Sequence, residues 1–139
     1  MREIKFRGSD EHGDWHYGAF MGVFYDGVVA PIEYANIYDD GMANRVLPDT
    51  VGQFTGLRDS NGQEIYEGDI VKATLKEPSF VKRFKLQNEI VGEMVFDNAW
   101  WIKQHETVNL IPPWRLRYYD LTVIGNVHDN PELLEAAHD

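Results

Sequence analysis

The dipeptide Asn61-Gly62 places the strongest constraint on the fold of this chain. Asn-Gly supplies the positive φ angles of a tight hairpin turn, and here it is flanked by Phe54 and by Ile65-Tyr66, residues that favour strands. Gly68-Asp69 then predicts a second turn before the β-branched run at residues 70–75, because Gly and Asp are common turn residues. The stretch therefore predicts a turn, strand, turn, strand unit of a small β-rich domain.

Alternating apolar and polar residues predict further strands on both sides of this unit. The predicted strands lie at about residues 3–7, 15–25, 28–34, 90–96, 99–103 and 119–127. Asp26-Gly27 and Asp97-Asn98 are the turn signals of two more hairpins. Residues 35–49 show little periodicity and predict a loop with one short strand or turn near residues 42–47. Residues 76–88 predict a long connection in which a strand or a helical turn can form.

A short helix is predicted at the C-terminal end of the sequence. Asn130 is a good N-cap, Pro131 fits the first helical position, and Glu132 suits the positive end of the helix dipole. A helix of about two turns is not stable alone. We therefore expect tertiary or subunit contacts to hold it.

The composition limits the class of protein. The chain has 139 residues, of which 43% are hydrophobic, and this suits one domain, or one domain with a small appended lobe, with its own core. The absence of cysteine excludes a disulfide framework, a thiolate metal site and a thiol nucleophile. No stretch approaches the roughly 20 apolar residues of a membrane span, and residues 1–10 lack the apolar centre of a signal peptide. A cytoplasmic protein is expected.

The net charge of -10 argues against nonspecific binding to nucleic acid or to an anionic membrane, because like charges repel. The charge is unevenly distributed, however. Residues 1–71 contain 5 basic and 13 acidic residues, residues 72–85 contain 5 and 1, and residues 86–139 contain 3 and 9. We interpret the basic segment 72–85 as a solvated loop or a subunit contact, with nucleic-acid binding as the alternative.

Three blocks of the sequence carry a recognisable pattern. They are MREIKFR at residues 1–7, QFTGLRDSNGQEIYEGDIV at residues 53–71 and VIGNVHDNPELL at residues 123–134. These blocks closely resemble the YopX family of phage and prophage proteins. They stand at both ends and in the middle of the sequence, so the resemblance spans the whole chain.

The resemblance implies a mainly β fold with an SH3-like barrel component at about residues 51–127, an N-terminal β-hairpin lobe and a short C-terminal helix. The chain would then be a single YopX-like domain over residues 1–139, with the N-terminal β lobe at 1–50 and the barrel-like part and helix at 51–139. The resemblance also implies a phage or prophage origin and a tendency to self-associate. It implies no catalytic residue.

The acidic turn around Gly62 invites comparison with a calcium-binding loop, in which a glycine is required at the sixth position. Aligning Gly62 with that glycine puts Leu57 at the first position and Gly68 at the twelfth, where carboxylates are needed. The spacing therefore rejects a calcium loop. Residues 59–62 predict a hairpin turn with solvated acidic side chains.

The carboxylate, serine and histidine patterns do not fit a catalytic or metal site either. Glu64, Glu67 and Asp69 form the tightest carboxylate group, but two of the three flank a turn, where polar residues are expected, and Asp69 is expected to cap backbone N–H groups there. The serines lack the small-residue elbow of a hydrolase. The histidines lack the spacing of zinc ligands; they are His12, His16, His105, His128 and His138. We expect no catalytic, cofactor or metal site.

Contact surfaces are the remaining basis for a function. We interpret five large aromatic residues as core or interface, with base stacking as the alternative; they are Trp15, Tyr17, Trp100, Trp101 and Trp114. The favoured hypothesis is a non-enzymatic protein that binds, as a homo-oligomer or with a host protein. The alternative is a nucleic-acid-binding module formed by Lys72, Lys76, Lys82, Arg83 and Lys85 with Trp100 and Trp101. A further alternative is an acidic DNA-mimic inhibitor of a host enzyme, suggested by the net charge.

Overall fold

The computed structural model describes residues 4–96, 99–104 and 110–138. These residues form two antiparallel sheets and short helical segments, which confirms the predicted mainly β fold. The chain divides into two compact units, Met1–Gly56 and Leu57–Asp139. The turn predicted at Asp97-Asn98 and the residue His105 lie outside the described residues.

Five strands of the first sheet begin in the first unit. They are β1 (Phe6–Ser9), β2 (Trp15–Asp26), β3 (Ile32–Asp39), β4 (Met42–Val46) and β5 (Gly52–Arg58), which ends in the second unit. With β6 (Glu64–Tyr66), the hydrogen-bonded order is β4-β3-β2-β1-β5-β6. A 3-10 helix at Pro48–Thr50 separates β4 from β5.

The core of the first unit is small. Ala35 and Ile37, which share one face of β3, are buried with Val46 of β4, and Phe6 and Val51 pack against them. Cross-strand pairs on one face of a sheet are the main source of its stability. The proximal part of the β2–β3 hairpin is therefore the part anchored to a core.

Strands β3 and β4 form a hairpin where mainly a loop was predicted. Asp39 pairs with Met42, so Asp40 and Gly41 are the two turn residues, with φ angles of 46° and 85°. Two positive φ angles are typical of a type I′ hairpin turn. The predicted loop over residues 35–49 is therefore wrong for residues 35–39, whereas a short strand near residues 42–47 is confirmed. The Asp-Gly signal was present but lay among weakly periodic residues.

The second sheet lies in the second unit. Its strands are β7 (Asp69–Leu75), β8 (Glu89–Phe96), β9 (Trp100–Lys103), β10 (Leu110–Ile111) and β11 (Tyr119–Asn126), in the order β10-β9-β8-β7-β11. The helical segments are α1 (Phe80–Phe84), a 3-10 helix at Pro113–Tyr118, and α2 (Glu132–His138). A continuous apolar core covers this sheet and contains Ile65, Val71, Ala73, Leu75, Leu86, Ile90, Met94, Trp100, Ile102, Ile111, Leu116 and Tyr119.

The order of the second sheet is open. Strands β10 and β11 stand at its two ends, and no pairing between them occurs in the part of the chain that the structure describes. The SH3-like barrel component expected at about residues 51–127 is therefore not confirmed. The predicted short C-terminal helix is confirmed as α2, which begins at Glu132. The carbonyl of Asn130 accepts a hydrogen bond from the backbone N–H of Leu133 at 3.1 Å, whereas its side chain, predicted to cap the helix, accepts one from the N–H of Asn126 at 3.3 Å.

The turn that joins β5 to β6 departs from the prediction in one respect. The hairpin is confirmed, since the backbone N–H of Asp59 donates to the carbonyl of Gln63 at 2.8 Å. The expectation of a solvated acidic side chain is wrong for Asp59, which is only 7% exposed. Its Oδ1 accepts hydrogen bonds from the N–H groups of Asn61 and Gln63, each at 2.9 Å, and its Oδ2 accepts one from Val123 at 3.0 Å. Burial is tolerated because the carboxylate is hydrogen-bonded.

Asp69 has the structural role predicted for it. Its Oδ2 accepts a hydrogen bond from the backbone N–H of Tyr66 at 2.7 Å, and the side chain is buried. It thereby caps the turn that precedes β7.

Candidate functional site

The distal part of the β2–β3 hairpin forms a two-stranded arm, residues 23–34. Strand β1 pairs with β2 only over Trp15–Gly18, and β4 pairs with β3 only over Ala35–Asp39. Within the described pairings, Phe24–Asp26 pair only with Ile32–Tyr34, and Val23 pairs with Ala35 at the base of the arm. An isolated two-stranded hairpin is at best marginally stable in water.

An irregularity in β2 marks the base of the arm. Phe20 pairs with Ile37, but the next pair along the hairpin joins Val23 to Ala35. Strand β2 therefore contributes one more residue than β3 at this point, which is a β-bulge. Bulges bend a strand and increase its twist, so this one sets the direction of the arm.

The arm exposes apolar side chains on both faces and at its tip. Val23 and Tyr25 point to one face, and Phe24 and Ile32 point to the other, because side chains alternate along a strand. All four are exposed, and Tyr25 and Ile32 are each 68% exposed. At the tip, Val28 and Val29 are each 98% exposed. Contiguous exposed apolar surface of this kind is typical of a contact site.

Arg45 of β4 connects the arm to the rest of its sheet. Its guanidinium carbon lies 3.9 Å from the centroid of the Tyr34 ring, and its Nη1 lies 3.3 Å from Oδ2 of Asp26 near the tip. The rings of Phe24 and Tyr34 stack with centroids 5.8 Å apart. The ion pair is exposed and therefore weak, so these contacts orient the arm more than they stabilise it.

A second candidate surface lies in the second unit, where α1 meets the 3-10 helix at Pro113–Tyr118. We call it the basic–aromatic surface. It consists of the cations Lys76, Lys82, Arg83, Lys85, Arg115 and Arg117 with the rings Phe80, Phe84, Trp114 and Tyr118. The ring of Tyr118 lies 5.4 Å from that of Phe80 and 4.9 Å from that of Phe84. These ring contacts join residues that are 38 and 34 positions apart in the sequence.

The sequence-predicted contact residues fall into two groups. Lys76, Lys82, Arg83 and Lys85 are exposed members of the basic–aromatic surface. Lys72 instead points from the middle of β7 to Glu89, with its Nζ 3.6 Å from Oε2 of that carboxylate.

The two predicted tryptophans also differ. Trp100 is 7% exposed within the core and is not available to stack on a ligand. Trp101 is half-buried, and its ring meets that of Trp114 edge-on at 5.9 Å. Adjacent residues of a strand point to opposite faces, as was predicted for this pair.

Sequence reasoning missed Arg115 and Arg117 as members of the site. Arg117 lies with its guanidinium carbon 4.9 Å from the centroid of the Tyr118 ring and donates a hydrogen bond to the Tyr118 hydroxyl at 2.9 Å. Both arginines stand next to aromatic residues in the sequence WRLRY. That local alternation was the available signal, but both arginines lie within residues 86–139, which contain 3 basic and 9 acidic residues and therefore carry no basic signal as a whole.

Two of the carboxylates that stand close together in the sequence, Glu64 and Asp69, contact different groups. Glu64 lies 3.6 Å from Arg58 and accepts a hydrogen bond from the Tyr66 hydroxyl at 3.1 Å, whereas Asp69 faces the Tyr66 N–H. Across the described ranges, no three His, Asp or Glu side chains lie together as a metal site would require.

Two acidic groups have shifted pKa values with clear causes. Burial raises the pKa of Glu93 above its usual value, and Glu67 raises it further, while Lys103 opposes both. A hydrogen-bonded contact with His16, whose Nε2 lies 2.8 Å from Oδ2, lowers the pKa of Asp10. Glu93 lies within a sheet and Asp10 in the turn between β1 and β2, so neither belongs to the arm or to the basic–aromatic surface.

A sequence profile of the family described as YopX protein matches residues 5–135. No curated protein sequence matches the chain. None of the helices in the described residues is long and apolar enough to cross a lipid bilayer.

Two solved structures are similar to the chain. The crystal structure of protein EF1440 from Enterococcus faecalis has 23% identity and a TM-score of 0.49, and the match covers 96% of this chain and 99% of that one. The X-ray crystal structure of protein yopX from Bacillus subtilis has 21% identity and a TM-score of 0.51, with 96% and 97% covered. At this level of identity the second likeness concerns the fold alone.

Proposed function

The chain belongs to the YopX protein family, and from that premise we propose that it acts by binding, first by self-association through the arm at residues 23–34. The proposal includes a phage or prophage origin and action in the cytoplasm of the bacterial host. A host protein is the alternative partner for the same surface. The observation that carries the proposal is the arm itself, which exposes apolar side chains on both faces.

The exposed apolar side chains and strand edges of the arm favour a state in which a partner covers them. Fully burying a Val or Ile side chain stabilises a protein by roughly 1.5–3 kcal/mol, and the arm exposes Val23, Val28, Val29 and Ile32 as well as Tyr25. In addition, strand edges that lack a neighbour present N–H and C=O groups that readily pair with another strand. A partner that covers the arm would bury the apolar side chains and form hydrogen bonds with the strand edges.

A second copy of the chain is the partner we propose. Closed two-fold contacts are the commonest form of oligomer, and they bring the same patch of both copies together. The arm suits such a contact because its apolar tip is flanked by the opposite charges of Asp26 and Arg45. Across a two-fold axis, each of these charges can meet its opposite on the other copy.

Sedimentation velocity of tip variants tests this proposal. We expect the wild-type chain to form an oligomer at micromolar concentration and the double variant Val28→Lys, Val29→Lys to weaken it by roughly tenfold or more, because two apolar contacts are lost. Each valine is 98% exposed, so the change leaves the folded monomer intact.

The matched control is Leu47→Lys, which adds a lysine at another exposed apolar residue of the first unit, outside the arm. It is expected to sediment like the wild-type chain. A wild-type chain that stays monomeric contradicts self-association. A tip variant and a control that weaken the oligomer equally would contradict the role of the arm. The DNA-mimic hypothesis stays a prediction, suggested by the net charge alone.

A further inference from the structure

We propose that the basic–aromatic surface of the second unit is a binding site for single-stranded nucleic acid. This inference is independent of self-association through the arm, which lies in the first unit. It depends on the charge, the exposure and the ring geometry of residues that two separate segments bring together.

The first observation is the local charge. The segments at residues 76–85 and 113–118 contain six cations and one acidic residue, Glu77, in a chain whose net charge is -10. All six cations are exposed, and within the described part of the chain none of them forms an ion pair. Lys72, by contrast, is paired with Glu89. A cluster that keeps its cations unneutralised can attract a phosphate backbone through the release of condensed counterions.

The second observation is the contact between arginine side chains and the stacked rings of Phe84 and Tyr118. The guanidinium carbon of Arg83 lies 5.2 Å from the centroid of the Phe84 ring, which stacks on Tyr118 at 4.9 Å. Arg117 lies over Tyr118 at 4.9 Å. The stacked rings therefore hold two guanidinium groups, one on each segment, and limit the side-chain freedom that would be lost when a phosphate binds.

The third observation is a large exposed ring in the same 3-10 helix as two of these cations. Trp114 is 65% exposed and is followed directly by Arg115. Its contact with Trp101 is edge-on, with an angle of 71° between the ring planes, so a ring face is available to a ligand. Aromatic faces beside basic residues are the means by which proteins bind single strands, since every base offers a face for stacking.

Exposed aromatic area favours a single strand over a duplex, whose bases are already stacked on each other. It also favours a nucleic acid over an acidic protein surface, which would use the cations but not the ring face of Trp114. An acidic second copy is the competing occupant, because residues 1–71 carry 13 acidic and 5 basic residues. The experiment must therefore separate strand binding from self-association.

Fluorescence anisotropy with a labelled oligothymidylate of about 16 nucleotides tests the proposal, since that length fills the larger sites of single modules. We expect binding by the full chain at about 50 mM salt and a loss of affinity with rising salt. The log–log slope is expected to be about -0.7 for each phosphate that is neutralised. A duplex of the same length is expected to bind more weakly.

Two variants locate the site. The double variant Arg83→Gln, Arg117→Gln is expected to reduce the magnitude of the salt slope by about 1.4, because two phosphate contacts are lost. Trp114→Ala is expected to weaken binding by roughly 5-fold to 100-fold, whereas Trp114→Phe retains most of the affinity. These side chains are exposed, and thermal unfolding checks that each variant is folded.

The matched control is Lys5→Gln, which removes a cation that also lies over a ring, that of Phe54, but belongs to the first unit and lies outside the arm. It is expected to bind the oligonucleotide like the wild-type chain. An absence of binding at low salt, equal affinity for duplex, or equal loss in Lys5→Gln would overturn the proposal. So would an Arg83→Gln, Arg117→Gln variant that binds the strand normally but has a lower oligomeric mass, since that result assigns the surface to an acidic second copy.

Discussion

The backbone N–H of Val123 donates a hydrogen bond of 3.0 Å to Oδ2 of Asp59, a residue 64 positions earlier in the chain. Beside it, the N–H and the hydroxyl of Ser60 donate to the carbonyl of Leu121 at 2.8 and 3.0 Å. The hairpin turn after β5 thus satisfies backbone groups along the outer edge of β11. Covered strand edges resist pairing with other chains, so in the second unit this edge is protected.

Asp59→Asn is expected to destabilise the chain by about 1–3 kcal/mol. The carboxylate accepts three backbone hydrogen bonds, and the amide would turn one acceptor into a donor that faces an N–H group. Urea unfolding measures the effect. Ser60→Ala is the milder control, because Leu121 keeps the bond from the Ser60 N–H; a loss as large as that of Asp59→Asn would contradict the role assigned to the carboxylate.

Acid unfolding depends on the same carboxylate. Burial by itself would raise the pKa of Asp59, but the hydrogen bonds from Val123, Gln63 and Asn61 outweigh burial, and the pKa is lowered. A lowered pKa contributes stability that is present above the unfolded value, about 3.9, and is lost as pH falls through the folded value. The stability gap between wild type and Asp59→Asn is therefore expected to narrow below about pH 4. A constant gap down to pH 2 would contradict this pKa direction.

Glu93→Gln is expected to stabilise the chain at neutral pH. The folded-state pKa of Glu93 is raised, mainly by burial, so the folded chain binds the proton more tightly than the unfolded chain does. Stability therefore falls as pH rises from the unfolded value, about 4.3, through the folded value. Thermal unfolding should show a higher midpoint for Glu93→Gln at pH 7 and little difference near pH 4. A lower midpoint at pH 7 would mean that the attraction of Lys103 outweighs burial.

Gly92→Ala is expected to destabilise the second unit by about 1–3 kcal/mol, as is typical when an extra carbon enters a packed core. A Cβ at Gly92 of β8 would lie 2.6 Å from Cγ2 of Ile102 and 2.7 Å from the carbonyl oxygen of Lys103. Chemical denaturation measures the loss. Thr74→Ala, at an exposed residue of the neighbouring strand β7, should change stability by less than about 0.5 kcal/mol. Equal effects of both changes would contradict close packing at Gly92.

The turns show how much of the fold the sequence contains. Asn61-Gly62 predicted its hairpin, because the turn chemistry and the flanking strands agree locally. Asp40-Gly41 carries similar chemistry, but its hairpin was missed because the flanking residues alternate poorly. The burial of the Asp59 side chain was not predictable from the sequence, because it depends on Val123, which the pairing of β7 with β11 brings near.

The contact surfaces show a similar limit. The alternation of residues 15–25 predicts a strand, but it cannot show that β1 and β4 end before the arm begins. Likewise, Lys82 and Arg83 were found from local charge, whereas Arg115 and Arg117 join them only through the ring contacts of Tyr118. Local sequence patterns therefore predicted strands and helices, whereas the contact surfaces depend on contacts between segments that are distant in the sequence.

Hydrogen–deuterium exchange of the arm amides at several protein concentrations tests the central proposal most directly. Phe24–Asp26 and Ile32–Tyr34 pair only with each other among the described strands, so in a monomer the arm amides should exchange fast, as those of weakly supported hairpins do. Self-association predicts that their protection rises at least about tenfold with concentration, while the buried amides of β7 remain protected throughout. Arm amides that exchange equally fast at every concentration, with β7 protected, would contradict self-association through the arm.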